Sequence, residues 1–444
     1  MAANPPKTAG ATCPLKQPET VDDIDLFSPG AQERWYDAYP ILHRDAPVLK
    51  IPGEGLTPGT DGYILSKYED IAMVVRDPVR FPPTLTLALK VFDDADVPPE
   101  EVPHVNAMLL SMYTLRPTNE LYRSHRQELT DPWVGPGASR HTEMIKAHAN
   151  RLIDQWIGRD SQSLDFVSEF ARPLPQHVMA SVLGFPQEDV PQLARWGTEQ
   201  VKPYVIGRGH KNELTREQLE EQFKGLDGFK EYVAETVREK RRNPADDMIS
   251  WLCDVEYKAL DRKLTDMEIN GIVYAMVLGG LETTQYALEQ QAQLVCETPG
   301  LFETLKADRS KIRGFCEEGM RLRSPTQGLS TRITSQDEVF QGVTVPKGSL
   351  LHLRWAAGNV DPDEWECPYD IDIERKAVTR HLAFSQGPRV CPGAGISRIE
   401  QQTAWNLLLD RLDGLEYAGD NAFEHQPGIM MGTLKLNLRF TPAS

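Results

Sequence analysis

Phe384-Ser385-Gln386-Gly387-Pro388-Arg389-Val390-Cys391-Pro392-Gly393 is the stretch from which the fold is read. One cysteine is framed by glycines on both sides, follows an arginine at two residues and leads directly into Pro-Gly and a helical pattern. A cysteine buried for packing alone requires none of this; a thiolate that holds an iron does. Gly387 and Gly393 allow turns and a close approach of the backbone to a flat group. Pro392 suits the first turn of a helix predicted through Ile396, Ile399, Ala404 and Leu407 to Leu409. Cys391 then stands at a helix N-terminus, where free N–H groups and the dipole favour negative charge. An iron–sulfur cluster needs several cysteines at short spacing, and Cys13, Cys253, Cys296, Cys316 and Cys367 offer no close second.

Upstream, Thr265-Asp266-Met267-Glu268 reads as a capping box. Apolar residues follow at Ile269, Ile272, Val273, Met276, Val277, Leu281, Ala287 and Leu288 up to Cys296, and the pattern stops before Pro299-Gly300. The expectation is one unusually long helix crossing the core. Its middle is Gly279-Gly280-Leu281-Glu282-Thr283-Thr284, where two adjacent glycines cost about 2 kcal/mol of helix propensity. Such rule-breaking marks functional sites. The glycines thin the helix so that a ligand can lie against its backbone, the Thr283 hydroxyl can hydrogen-bond a bound dioxygen, and Glu282 can relay protons. The alternative is a kinked structural helix whose threonine bonds back to its own carbonyls.

The chain has 444 residues, six cysteines and a formal charge of −17. Acidic balance argues against nucleic acid as a partner, and dispersed single cysteines suit a reducing compartment. Met1 to Pro29 is polar and proline-rich, and no window approaches the roughly 18 apolar residues of a membrane span. The expectation is a cytoplasmic protein without a membrane partner, with a flexible tail over 1–25.

The cysteine loop resembles the haem-ligand loop of cytochrome P-450: Phe-x-x-Gly-x-Arg-x-Cys-x-Gly is matched throughout, with Ser385 where the family usually has glycine. The resemblance implies haem b (iron protoporphyrin IX), ligated by Cys391, with Phe384 packed near the thiolate and Arg389 on a propionate. Gly279 and Gly280 with Glu282 and Thr283 resemble the family's oxygen-binding groove, Glu282 as acid and Thr283 as alcohol. Glu317-Glu318-Gly319-Met320-Arg321 carries Glu-x-x-Arg, whose members face each other on a helix. Pro325 and Arg332 follow at the family's spacing. The resemblance implies that Glu318 and Arg321 lock with Arg375, and that Arg332 binds a propionate through its planar fork. Tyr122-Arg123-Ser124-His125-Arg126 stands where the family has His-x-x-x-Arg or Trp-x-x-x-Arg, so Tyr122 and Arg126 are further propionate ligands, although His125 is an unusual neighbour.

The resemblance runs from about Leu26 to Phe440. It implies a mainly α fold: one large helical domain over 26–444 with small antiparallel β-sheets, the haem lying between the long central helix and the cysteine helix. Strands are expected at Ile51 with Tyr63–Leu65, at Val339-Phe340 with Val343, and at Leu351–Leu353. The implied reaction is monooxygenation, hydroxylation or O-dealkylation, with electrons from a separate ferredoxin-type donor and its reductase. Arg375, Lys376, Arg380, Arg389 and Arg398, with no Asp or Glu between Arg375 and Ile399, form a basic patch suited to that donor. The pocket draws on Thr84–Leu115 as a lid or deep channel, Leu193–Ile206, Met276, Gly279-Gly280, Thr326–Leu329 and Met430-Met431. Methionine and leucine predict a mainly apolar substrate and do not separate fatty acids, terpenoids, steroids and aryl ethers. The rivals are a peroxide-driven peroxygenase, non-redox chemistry at haem, and a haem-thiolate sensor. The intact Glu282-Thr283 pair weighs against the first and the last.

Overall fold

The computed structural model describes residues 18–444 except 29, 58, 84–114, 207–214, 329–330 and 427. Residues 1–17 of the expected tail and 84–114 of the expected lid lie outside the described residues. In chain order the helices are α1 (Trp35–Asp45), α2 (Tyr68–Arg76), α3 (Asn119–His125), α4 (Thr142–Asp154), α5 (Pro173–Leu183), α6 (Val190–Ile206), α7 (Arg216–Arg242), α8 (Met248–Asp254), α9 (Asp266–Gly280), α10 (Thr283–Glu297), α11 (Leu301–Ala307), α12 (Ile312–Leu322), α13 (Trp355–Asn359) and α14 (Ala394–Arg411).

The apolar run after Thr265 forms two helices rather than one. The capping box closes as expected: Glu268 N–H donates to Thr265 Oγ1 at 3.3 Å and Thr265 N–H to Glu268 Oε2 at 2.8 Å. The first helix ends at Gly280 and the second begins at Thr283. Two poor helix formers coincide here with a threonine whose Oγ1 donates to Gly279 O at 2.8 Å, and together they break the ladder.

Strands β1 (Val48–Ile51), β2 (Gly62–Leu65), β9 (Leu350–Leu353) and β6 (Thr331–Ile333) form one sheet in the order β1-β2-β9-β6. Its β2–β9 pairing is parallel, so this sheet is mixed rather than purely antiparallel. That pairing joins strands far apart in sequence, which no hairpin turn constrains to run antiparallel. A second sheet runs β10 (Leu412–Tyr417), β11 (Asn437–Pro442), β3 (Ser163–Asp165), all antiparallel. Two hairpins complete the set, β4 (Glu256–Tyr257) with β5 (Arg262–Lys263) and β7 (Glu338–Phe340) with β8 (Val343–Val345). The main core runs through the helices, with Trp35, Trp156 and Trp405 fully buried. A smaller core lies under β2 and α2, built on Tyr63, Ile71, Phe81 and Leu353.

Candidate functional site

The cysteine loop is closed by its own backbone. Cys391 N–H donates to Phe384 O at 2.8 Å and Val390 N–H to Gly387 O at 3.2 Å. Helix α14 starts at Ala394 with Gly393 as its N-cap, so Pro392 lies just ahead of the helix, not in its first turn. Cys391 still faces the helix end. Burial pushes its thiol up, while the N–H groups of Gly393 and Ala394 and the cations of Arg126 and Arg398 favour the thiolate. Gly387 has φ +69°, and a Cβ there would fall 2.9 Å from Arg76 Cα, so its lack of a side chain serves the packing of the loop on α2. Gly393 has room, its Cβ position lying 3.9 Å from Cys391 Sγ. Ser385 holds a left-handed φ of 57°, and its buried Oγ has no hydrogen-bond partner.

A cationic cluster lies beside this loop. The Arg389 guanidinium sits 4.3 Å from the ring centroid of Tyr122, and that of Arg116 sits 5.2 Å from the same ring. Arg126 donates through Nη1 to Val390 O at 2.6 Å and through Nε to Asp131 at 3.0 Å. Thus Tyr122, Arg126 and Arg389 come together, although some 260 residues separate them. Arg332 is buried on β6, its Nη1 donating to Thr331 O at 2.9 Å. His125 is buried with both ring nitrogens unpartnered. Burial, and then Arg116 and Arg126, keep it neutral.

The facing wall is the break between α9 and α10. A Cβ on Gly279 would meet nothing within 4 Å among the described residues, so on their side this glycine fronts open space. Gly280 does not, because a Cβ there would lie 2.9 Å from Met179 Cγ on α5. Glu282 Oε1 accepts from Thr198 Oγ1 of α6 at 3.2 Å, and Oε2 accepts from Tyr286 Oη at 2.9 Å. One turn beyond Thr283, Ala287 joins Met320, Phe384 and Ala394 in a buried apolar cluster against which Cys391 packs. Thr284 Oγ1 and Ser397 Oγ meet at 2.9 Å, tying α10 to α14.

Among the described residues no group of three or more His, Cys, Asp or Glu could hold a metal ion. A metal at Cys391 thus finds no set of three such ligands among the described residues, and a group that brings its own ligands suits the site. A thiol at a helix end, apolar side chains around it, a bare glycine opposite and a cationic rim fit a flat metal macrocycle carrying carboxylates.

The family profile described as Cytochrome P450 matches residues 111–440. The chain belongs to the cytochrome P450 family. It is 30% identical over 254 residues to the "Polyketide biosynthesis cytochrome P450 PksS" of Bacillus subtilis (strain 168), covering 57% of this chain and 59% of that one. It is 26% identical over 439 residues to "Cytochrome P450 107B1" of Saccharopolyspora erythraea, covering 94% of this chain and 98% of that one. Over the first curated relatives the chain thus spans about three-fifths of their length, 59% and 64%. Among solved structures, P450BioI in complex with hexadec-9Z-enoic acid ligated acyl carrier protein superposes with a TM-score of 0.77 at 25% identity, covering 92% of this chain and 99% of that one. Epothilone B-bound cytochrome P450epoK gives a TM-score of 0.79 at 21% identity, covering 95% and 100%, a likeness of fold. The family implies a haem cofactor.

Below the cysteine loop of this P450, Glu318 is fully buried and chelated. Arg321 reaches it at 2.7 and 2.8 Å and Arg375 at 3.0 Å, while Arg321 also donates to Asn359 O and Pro368 O. The neighbouring Glu317 takes His381 at 3.1 Å and Arg398 at 2.5 and 3.0 Å. Burial raises its carboxyl, but these two partners outweigh burial and hold it at about 2. The five-residue basic patch is consequently less free than its sequence suggests. Arg375 and Arg398 neutralise buried acids, Arg380 pairs with Glu364, and Lys376 stands exposed. Arg116, Glu317 and Tyr286 escaped the sequence reading. Only Glu317 had a local signal, as the first of two adjacent glutamates.

Proposed function

We propose that this P450 is a monooxygenase that binds haem b and inserts one oxygen atom of dioxygen into a C–H bond of a mainly apolar small molecule, by hydroxylation or O-dealkylation. Its electrons come from a separate ferredoxin-type donor and its reductase, in the cytoplasm. The observation that carries this reading is the shared apolar cluster of Ala287, Phe384 and Ala394, which sets the Cys391 loop against the helix bearing Thr283. When bound, the haem supplies the redox-active iron at which dioxygen is activated. Cys391 would ligate that iron. Arg126, Arg332, Arg389 and Tyr122 would hold the haem carboxylates, planar guanidinium forks suiting them, and Phe384 would pack beside the thiolate. Gly279 leaves the space in which substrate and dioxygen lie. Thr283 donates its hydroxyl proton to Gly279 O and turns its lone pairs outward, so that it accepts a hydrogen bond from, and so positions, a water that carries protons from Glu282 into the groove.

Met276, Met430 and Met431 are buried near this wall, and Thr326 bridges to Met430; Leu329 lies outside the described residues. These side chains support an adaptable apolar pocket, in keeping with the acyl and polyketide wording attached to P450BioI and PksS. Among the described residues no helix is long and apolar enough to cross a membrane.

Optical titration of the ferric protein with fatty acids, terpenoids, steroids and methoxy-aromatics tests the proposal. A low-spin to high-spin shift with one panel names the substrate class. A protein that acquires no thiolate-type haem spectrum, or a Cys391→Ser variant that retains one, overturns it.

A further inference from the structure

Glu282 is not a free carboxylate. Of its two tethers among the described residues, Thr198 is the longer, at 3.2 Å, and its hydroxyl proton is drawn equally to Ala194 O at 3.2 Å. The stronger is Tyr286, four residues on along α10, where side chains on one helix face meet. Its hydroxyl donates to Glu282 Oε2 at 2.9 Å, and a charged acceptor makes that bond directional. The ring itself packs closely against the Gly432 backbone. It is fully buried, and a Cβ on Gly432 would fall 2.2 Å from Tyr286 Cε1. Gln426 Oε1 is a second acceptor for the same hydroxyl at 3.1 Å, but Glu282 is the nearer of the two and carries charge, so it takes the stronger share of the proton. The chain near Gln426 is fixed in turn by Gln32, whose Nε2 donates to Gln426 O at 2.6 Å and to Gly428 O at 2.9 Å. Burial and then the Glu282 charge push the phenol well above its ordinary value, so the hydroxyl keeps its proton and acts toward Glu282 as a donor.

We infer that Tyr286 is a positioning residue for proton delivery, its hydroxyl fixing the direction in which Glu282 presents its carboxyl to the Thr283 groove. The inference rests on Glu282 and Thr283 being the acid–alcohol pair proposed above. Without that hydroxyl, Glu282 keeps only the shared bond to Thr198 and turns about its side-chain torsions, so protons reach the groove less often.

Tyr286→Phe removes the hydroxyl and leaves the ring against Gly432. Two readouts on the haem-loaded protein test it. The first is infrared: the Glu282 carboxyl signal, assigned by its loss in Glu282→Gln, shifts in Tyr286→Phe. The second is the partition of reduced dioxygen between peroxide and water during NADPH oxidation through a surrogate ferredoxin and its reductase, with no substrate added. Tyr286→Phe raises the peroxide-to-water ratio roughly tenfold, the equivalent of one hydrogen bond to a charged group, and enlarges the solvent deuterium effect. Both changes vanish in a Glu282→Gln background, where nothing remains to be oriented. An unmoved infrared signal with unmoved partition overturns the inference, as does an equal change in the Glu282→Gln background, which would mean that the tyrosine acts through packing. If Glu282→Gln and Thr283→Ala themselves leave the partition unchanged, the acid–alcohol reading falls, and the inference with it.

Discussion

Ser385 departs from the family's usual glycine at a position whose backbone favours glycine. Its φ of 57° lies in the left-handed region, and its hydroxyl is buried without a partner. A left-handed L-residue costs about 1–2 kcal/mol, and a buried unsatisfied hydroxyl adds about 1–3 kcal/mol. Glycine, the family's usual residue, removes both and returns about 0.4–1 kcal/mol of that through a freer unfolded chain. Ser385→Gly is therefore expected to stabilise the holoprotein by at least about 1 kcal/mol, read as a higher urea midpoint. A lower midpoint would mean that the serine hydroxyl holds the loop in a way its geometry does not reveal. The departure from the family's glycine was visible in the sequence; its sign was not, because it depends on whether the hydroxyl finds a partner after folding.

At the scale of elements, the two adjacent glycines of the groove part company. In sequence they are equivalent, and only the fold tells that Gly279 faces open space while Gly280 abuts Met179. Gly280→Ala forces its methyl against a well-packed neighbour, an overpacking that costs about 1–3 kcal/mol; Met179 is flexible enough to keep the loss at the lower end. Gly279→Ala meets no atom of the described residues and gains up to about 1 kcal/mol of helix propensity. Thermal melts should thus separate the pair, Gly280→Ala falling and Gly279→Ala holding or rising. Gly279→Ala should instead weaken ligand-induced spin shifts, since its methyl occupies the ligand's space. Equal melts for the two would remove the assignment of the open side. The Glu318–Arg321–Arg375 lock ties α12 to the segment that leads into the cysteine loop. Glu318→Ala strands two arginines, one fully buried and one nearly so, and should cost about 3–5 kcal/mol, seen as lost soluble holoprotein; near-normal yield would show the lock to be dispensable. The Glu318–Arg321 half of the lock was legible because Glu-x-x-Arg is a spacing on one helix; Arg375 was implied only by the family resemblance. The β3–β11 pairing was not, since it joins Ser163–Asp165 to residues some 270 positions away, and neither strand carries a hairpin turn.

Across the whole molecule, what the sequence displays is what lies within a dozen residues: the cysteine loop, the groove, the capping box. What it hides is the placing of polar groups inside the core, and these set the response to pH. Burial, and then the Arg354 charge, hold His352 at about 3, and burial holds His148 at about 4, with Arg151 and His177 adding to the effect. Both folded values lie below the unfolded one, so these histidines cost stability as pH falls from about 6.5 toward those values. Glu289 acts in the opposite direction. Burial raises its carboxyl to about 8, in spite of hydrogen bonds from Gln285 and from the Thr433 N–H and hydroxyl. The folded value lies above the unfolded 4.5. The stabilising contribution is therefore whole below pH 4.5 and is lost as pH climbs toward 8, at about 1.4 kcal/mol per pH unit. Glu289→Gln has the same shape and nothing to ionise. Its carbonyl still accepts from Thr433, and its amide donates to Gln285 once that side chain turns over. Melts of both proteins at pH 5, 6, 7 and 8 should show a gap that widens in favour of the variant with each step, while the acid limb set by the histidines stays common to both. A gap constant across that range would mean that Glu289 titrates as an ordinary carboxylate, and that water reaches the face of α10 it shares with Tyr286 and Glu282.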